Sequence, residues 1–351
     1  MSLPVSPHVN PPKNPDDTSP RKAPPAPKYA RSPLTKGYTA LREAAAWRDA
    51  SDRGRIVVRG DDRVRLLHAM TTNNIEQLAP GDGCYAFFLN AQGRILADAN
   101  ILCFADHILL DTEPETRTKV FEHLDRYIIA DDVTLEDVTD RTAVIAVEGP
   151  QAQSVIERLG APAPALPGGN VLWDGDWGGG GDSIGLTVAR LNTAGGSGFF
   201  LIANAASKEL LEAQLAAAGI PEAQPQDVRT VRIENGRPRY GEEITERYLV
   251  QETGQLQAVH FTKGCYLGQE IVERVRSRAQ IHRGLRRLEI DTDQPPDPGV
   301  KLKSGETDAG EIASAAFSPA LGKTVALAYV RTQFGEPGTE LVLNGLAAHV
   351  R

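Results

Sequence analysis

KGCYLGQE spans Lys263–Glu270 and runs on into IVERVRSR. The chain has three cysteines, Cys84, Cys103 and Cys265, and it places the last between a lysine and a tyrosine, with Gly264 and Gly268 on either side. Glycine permits positive φ and close backbone approach, so such a loop can push a cysteine side chain outward. GQEIVERVRS has the pattern of an amphipathic helix, with Ile271 and Val275 four apart on one face. Glu270 falls in its first turn, where the helix dipole favours a carboxylate. Cys265 is therefore expected at or just before a helix N-terminus, with Lys263 two residues away and Arg274 one turn on. A helix N-terminus and nearby cations both stabilise a thiolate, the form that attacks, coordinates metal or carries sulfur. The plain alternative is a small residue packed under a loop. The coincidence of glycines, cations and helix start favours the reactive reading.

Cys84 and Cys103 fall in apolar, strand-like runs and are expected in the core. Three cysteines at these spacings match no zinc pattern and no disulfide framework. One thiol cannot hold an iron–sulfur cluster, which needs four protein ligands, so no resident metal or cluster is expected. The first residues lack an apolar signal core, and no apolar run approaches a membrane span. A reducing, cytoplasmic setting follows. The formal charge of -8 argues against a general nucleic-acid binder. Positives still crowd Arg229–Arg239 and Arg274–Arg287, leaving room for a local site for a small anion.

Outward from the motif, the texture changes in both directions. GLRRLEIDT, GVKLKSG, GEIASAAFS, TVALAYVR and ELVLNG are short strands spaced by Gly, Pro and Asp. They predict an antiparallel barrel or sandwich of about 65 residues. Upstream, QDVRTVRIENG reads as a helix capped by Asp227 and ended at Gly236. Helices are expected over TALREAAAWRDA, within DDRVRLLHAMTTNNIEQL, where Asp61 or Asp62 would cap a helix that buries Val64, Leu67 and Met70, and from Glu113 to Tyr127. A further two cover PQAQSVIERLG, with Gly160 at its C-cap, and ASKELLEAQLAAAG. Strands are expected at RIVVRG, CYAFFLN, RILADANILCF, HILLDT, DVTLEDV, TAVIAVEG, IGLTVARLN and GFFLIAN, with a hairpin at Gln92-Gly93. PGGNVLWDGDWGGGGDS reads as a surface loop without the ending of a P-loop. The Pro-rich stretch before about residue 34 reads as a disordered tail.

At the motif the chain resembles the YgfZ family of folate-binding proteins, whose signature is K-G-C-Y-x-G-Q-E followed by an arginine. Lys263, Gly264, Cys265, Tyr266, Gly268, Gln269, Glu270 and Arg274 match it. LNAQGRILAD (Leu89–Asp98) is similar to the N-terminal part of that family. VRIENGRPRYGEEI (Val231–Ile244) resembles an Arg-x-Glu-x-Gly-x-Pro segment shared with the aminomethyltransferase, or T-protein, of the glycine cleavage system. The resemblance implies an α+β, aminomethyltransferase-like fold. Two α+β subdomains (about 35–148 and 149–284) and a C-terminal β-barrel (285–351) would ring a central channel, with the tail over 1–34 outside it. It implies tetrahydrofolate as cofactor, with Asn90, Asp98, Arg232 and Glu234 as candidate folate contacts. It places Cys265 at the channel mouth, with Lys263 and Arg274 tuning it or holding the folate tail. Implied partners are iron–sulfur client enzymes, including tRNA-modifying ones, or assembly proteins, with no nucleic acid or membrane, and a monomeric chain. The step at Cys265 is a redox, sulfur-transfer or transient cluster-ligand step.

Two other readings stand beside this one. An aminomethyltransferase shares the fold, so fold alone does not decide. Its relatives resemble T-G-E-x-G-[FY]-E where this chain has AGGSGFF, so Gly196 and Phe200 stand in place of two carboxylates. A scaffold would leave Cys265 incidental. One departure from the motif family is Arg278-Ala279, which runs Arg-Gly in relatives.

Overall fold

The computed structural model describes residues 34–177, 183–278 and 281–351. Residues 1–33 of the expected tail over 1–34, residues 178–182 of the expected glycine-rich loop, and residues 279–280 lie outside the described residues.

Alternation of side chains explains the layers. In β7 (Thr142–Glu148), Ile145 and Val147 join a cluster with helices α4 (Ala152–Arg158) and α5 (Lys208–Ala217). Val144 and Ala146, one residue out of phase, join a second cluster with Val57, Leu102 and Leu109. A strand buried on both faces must be apolar throughout, which is how TAVIAVE reads. β7 belongs to an antiparallel sheet with β1 (Ala46–Asp49), β8 (Asn170–Asp176), β9 (Ser183–Ala189) and β10 (Gly198–Asn204), in the order β1-β7-β10-β9-β8. Facing it is a sheet of order β3-β4-β5-β2-β6, made of β2 (Gly54–Arg59), β3 (Gly83–Leu89), β4 (Ile95–Cys103), β5 (Ile108–Thr112) and β6 (Thr134–Asp137). Its outer face packs α2 (Arg63–Met70) and α3 (Arg117–Asp125) through Leu67, Val120 and Leu124. The result is four layers, helices outside and two sheets inside.

The sheets do not divide at residue 148. β1, the first strand among the described residues, pairs with β7, so the path leaves one sheet, builds the other and returns. TALREAAAWRDA accordingly splits into α1 (Lys36–Glu43) and β1. Its alanines favour helix locally, but Trp47 is claimed by the core and its Nε1 donates to the Ile220 carbonyl at 3.1 Å. β8 occupies part of the expected glycine-rich loop. Its exposure alternates residue by residue, a strand signal masked by the glycines around it. α2 runs to Met70 and buries Leu67 and Met70 as expected, but the Asp62 carboxylate accepts from the Asp132 N–H instead of capping its own helix. Pro114–Thr116 form a 3-10 turn before α3, and Tyr127 lies beyond that helix, 41% exposed.

The C-terminal strands close a six-stranded antiparallel barrel, β11-β14-β13-β12-β15-β16. These are β11 (Arg283–Ile290), β12 (Lys301–Ser304), β13 (Thr307–Ser318), β14 (Lys323–Arg331), β15 (Glu340–Leu343) and β16 (Leu346–Val350). Leu288, Leu302, Ile312, Leu341 and Val350 fill it. α6 (Pro225–Glu234) fastens it to the sheets: Ile233 packs on Val325 and Leu327, and buried Glu243 pairs with Arg232 and accepts from Ser314 Oγ. Asp227 is not the cap of α6 but the third residue within it, accepting from the Gln224 N–H at 2.9 Å. No helix among the described residues is long and apolar enough to cross a membrane.

Candidate functional site

The KGCYLGQE segment is built onto the C-terminal end of α2. A helix leaves its last four carbonyls without partners. Here Thr71 Oγ1 donates to the Leu67 carbonyl at 2.7 Å and the Leu267 N–H to the Ala69 carbonyl at 3.0 Å. Lys263 Nζ donates to the carbonyls of His68 (2.5 Å), Thr71 (2.7 Å) and Asn73 (2.6 Å). A lysine ammonium at the negative end of a helix is a favourable cap. Lys263 is 7% exposed, and burial pushes its pKa down to about 8, while the carbonyls favour the charged form. All three of its protons are thus committed to the backbone. The thiol-tuning and folate-tail roles inferred from sequence find no support in this geometry.

Gly264 and Gly268 are spacers for different reasons. A Cβ on Gly264 would lie 3.7 Å from His68 Nε2, an ordinary contact. Gly268 has φ +83°, and a Cβ there would lie 2.6 Å from the Asn90 carbonyl and 3.3 Å from Gly93 Cα. Gly93, at φ +67°, lies under the Ile271 side chain: a Cβ there would lie 2.8 Å from Ile271 Cβ and 3.5 Å from the Gly268 carbonyl. The LNAQGR hairpin and the motif therefore touch backbone to backbone, at glycines on both sides. Gly268→Ala is expected to cost about 2 kcal/mol or more of stability, from the left-handed φ and the clash together, read by urea unfolding.

Between these anchors Cys265 is exposed, whereas Cys103 is buried and Cys84 half-buried. It lies four residues ahead of α7 (Gln269–Arg278), so the helix-start placement is not realised at the cysteine itself. Arg274 is half-exposed and pairs with Glu270 one turn back, not with the loop. Tyr266 is buried below the Lys263 ammonium, 5.1 Å from ring centroid to Nζ, and burial pushes its phenol up to about 12. The Gln269 N–H closes a turn onto the Tyr266 carbonyl at 3.2 Å.

A cavity of about 520 Å³ opens between the two sheets and α6. That volume suits a cofactor-sized ligand. Asp98 on β4 and Tyr85 on β3 form its floor, and the Tyr85 hydroxyl donates to Asp98 Oδ2 at 2.6 Å. Burial, then the Glu113 charge, raises the Asp98 carboxyl to about 6, against the pull of Tyr85, Arg53 and Arg237. Arg53 is buried and clamps Asp111 through two bonds, at 2.8 and 2.7 Å, and Glu113 at 2.5 Å. Arg232 lines the cavity wall but is held by Glu242 and Glu243.

Asp98 and Arg232 therefore lie at the cavity, and the other two proposed folate contacts do not. The Asn90 side chain accepts from the Gln92 and Arg94 N–H groups, both at 3.0 Å, and shapes the hairpin. Glu234 accepts from Tyr38 at 2.6 Å and pairs with Arg42, tying α1 to α6. Cys265 is not among the cavity-lining residues, nor is any residue of the barrel. Arg237 and Arg239, from the basic run Arg229–Arg239, also line the cavity, and so does Tyr85, which the sequence reading does not single out. A signal existed: Asp98 and Asn100 alternate on β4, opposite Phe87 and Tyr85 of β3, so one face of this hairpin turns polar. Among the described residues no group of His, Cys, Asp and Glu side chains is arranged to hold a metal ion.

Comparison with known proteins bears on this architecture. The model of the GCVT N-terminal domain matches residues 20–263. The chain belongs to the glycine cleavage T-protein family. The family's C-terminal barrel domain matches residues 283–348, the closed barrel described above. A T-protein relative, the aminomethyltransferase of Chlorobium chlorochromatii, is 30% identical over 324 residues, covering 87% of this chain and 84% of its own. A chloroplastic protein of Arabidopsis thaliana, named as a transferase without a stated reaction, is 27% identical over 300 residues, covering 84% of this chain and 67% of its own. The crystal structure of glycine cleavage system aminomethyltransferase T from Bartonella henselae superposes with a TM-score of 0.81 at 21% identity, covering 92% of this chain and 90% of that one. That likeness shows the T-protein fold, α+β with a C-terminal barrel.

Proposed function

We propose that this T-protein-family chain binds a reduced folate in the cavity and supports assembly or repair of iron–sulfur clusters in client enzymes, tRNA-modifying ones among them, through Cys265. The observation that carries the reading is the presentation of that thiol. It is the exposed cysteine of the three, on a loop fastened on both sides, by Lys263 to α2 and by Gly268 to the hairpin. A loop so anchored holds a thiol outward for a partner at little ordering cost. Placement outside the cavity suits a step on a second protein better than one on the folate.

Tetrahydrofolate, when bound, supplies a reduced pterin with an amide and amine edge. Asp98 accepts hydrogen bonds from such donors, as a buried carboxylate does strongly. Tyr85 fixes the carboxylate's orientation through its hydroxyl. A redox, sulfur-transfer or ligand step each needs the thiol, so one substitution tests all three. Cys265→Ser is expected to abolish support of a cluster-dependent tRNA methylthiolation while leaving folate affinity unchanged. Full support by this variant favours a scaffold instead.

A buried carboxylate in the cavity and relatives named aminomethyltransferase keep one second reading in play, tetrahydrofolate-dependent aminomethyl transfer. Residues 190–204 contain no acidic side chain, and Phe200 is fully buried between the sheets. This weakens that reading. Release of ammonia and methylene-tetrahydrofolate from an aminomethylated carrier protein would establish it.

A further inference from the structure

The cavity is rich in arginine, yet nearly all of that charge is spent. Arg48 faces Glu148 at 3.4 Å, Arg53 is clamped by Asp111 and Glu113, and Arg229 and Arg232 both meet Glu242. Arg239 reaches Glu113 at 2.9 Å and Glu115 at 2.7 Å. Arg237 differs. Among the described residues its guanidinium has no ion pair and no hydrogen bond; it stands over the Tyr85 ring, 5.5 Å from the centroid. Its position is fixed from the other side. Gly195, at φ +83°, brings the loop between β9 and β10 so close that a Cβ there would lie 2.9 Å from Arg237 Cβ. The Arg237 carbonyl also accepts from Arg232 at 2.7 Å. A half-buried guanidinium packed on an aromatic face, with its donors unused and facing a ligand-sized cavity, is suited to a planar anion.

We infer that Arg237 receives an anionic group of the cavity ligand, which for a folate is a carboxylate of its glutamyl end. This rests on the folate reading for the identity of the ligand, but not for the presence of an anion. Asp98 and Arg237 flank Tyr85 with opposite charge, so the cavity is polar in a directional sense. Asp98 takes hydrogen-bond donors, and Arg237 takes a carboxylate through two parallel N–H bonds. A ligand lacking the acid gains nothing from Arg237, which makes this residue a determinant of specificity between folates and simple pterins.

The experiment is a calorimetric titration of the full chain and of Arg237→Gln with three probes: tetrahydrofolate, 6-methyltetrahydropterin and N-(4-aminobenzoyl)-L-glutamate. Glutamine keeps the side chain's polarity and removes its charge, and circular dichroism checks that the variant folds. The expected result is a loss of about 10- to 100-fold in affinity for tetrahydrofolate and for the aminobenzoylglutamate, with the pterin unchanged. Equal loss for all three probes overturns the inference, since Arg237 would then serve the pterin or the fold. Unchanged affinities overturn it as well. If the wild-type chain binds the aminobenzoylglutamate in an Arg237-dependent way but not tetrahydrofolate, the folate reading falls and the anion site stands. If it binds neither, both fall.

Discussion

Replacing Lys263 by methionine is expected to lower the unfolding free energy by about 3 kcal/mol. The lysine donates to three backbone carbonyls at the end of α2. Methionine fills much the same volume but donates to none of them, and each buried carbonyl left unpaired costs about 1–3 kcal/mol. The total falls below the sum because water enters a loosened loop and because burying an ammonium is itself costly. Urea unfolding of the two proteins measures the difference directly. Alkylation of Cys265 should also change, since the same anchor holds its loop. A stability loss under about 0.5 kcal/mol would show that Lys263 does not hold the loop, and would return it to the role of a catalytic cation.

The second large effect concerns Asp98, and it has two parts of opposite sign. Its native carboxyl titrates at about 6, above the usual 3.8. A raised acid binds more protons folded than unfolded between those values, so stability falls as pH rises from about 4 to 6. At pH 7.5 the ionised group costs the native state about 1–3 kcal/mol. Asp98→Asn is therefore expected to stabilise the chain by that order at pH 7.5 and by little at pH 4, where the wild-type carboxyl is also neutral. The same substitution should weaken tetrahydrofolate binding by about 100-fold at pH 7.5, since an amide cannot accept two donors as a carboxylate does. Wild-type affinity should fall below pH 6 as Asp98 protonates, and the variant's should stay flat. Thermal unfolding and folate titration at pH 4, 6 and 7.5 test both parts. A variant that is less stable at pH 7.5 would show that Asp98 is a structural partner of Tyr85 and not a strained site residue.

Much of the architecture was legible because it is written in short-range periodicity. The barrel strands are punctuated by Gly, Pro and Asp, and TAVIAVE alternates between two cores that both want apolar side chains. The exceptions have a common cause. AWRD looks helical because the alanines that lead into it are good helix formers, but a strand partner almost a hundred residues downstream, Ile145–Glu148, outweighs that preference. β8 was hidden by glycines whose effect is local, while its pairing with β9 is not.

The site divides along the same line. Sequence by itself set Cys265 apart from Cys84 and Cys103 and pointed to glycine at 268, and both follow from residue type and near neighbours. Asp98 and Arg232 came only with the family resemblance, beside Asn90 and Glu234, which the structure places away from the cavity. Only the tertiary structure decided what the cations do. Lys263 looked like a neighbour of the thiol, yet its partners, His68, Thr71 and Asn73, come from a helix end far upstream in the chain. Arg237 looked like one positive charge in a basic run, and only the pairing of every other cavity arginine leaves it as the uncommitted one. The physical reason is the reach of a charge. A buried ammonium or guanidinium takes whatever acceptor the fold brings within about 3 Å, and chain neighbours have no privilege in that choice.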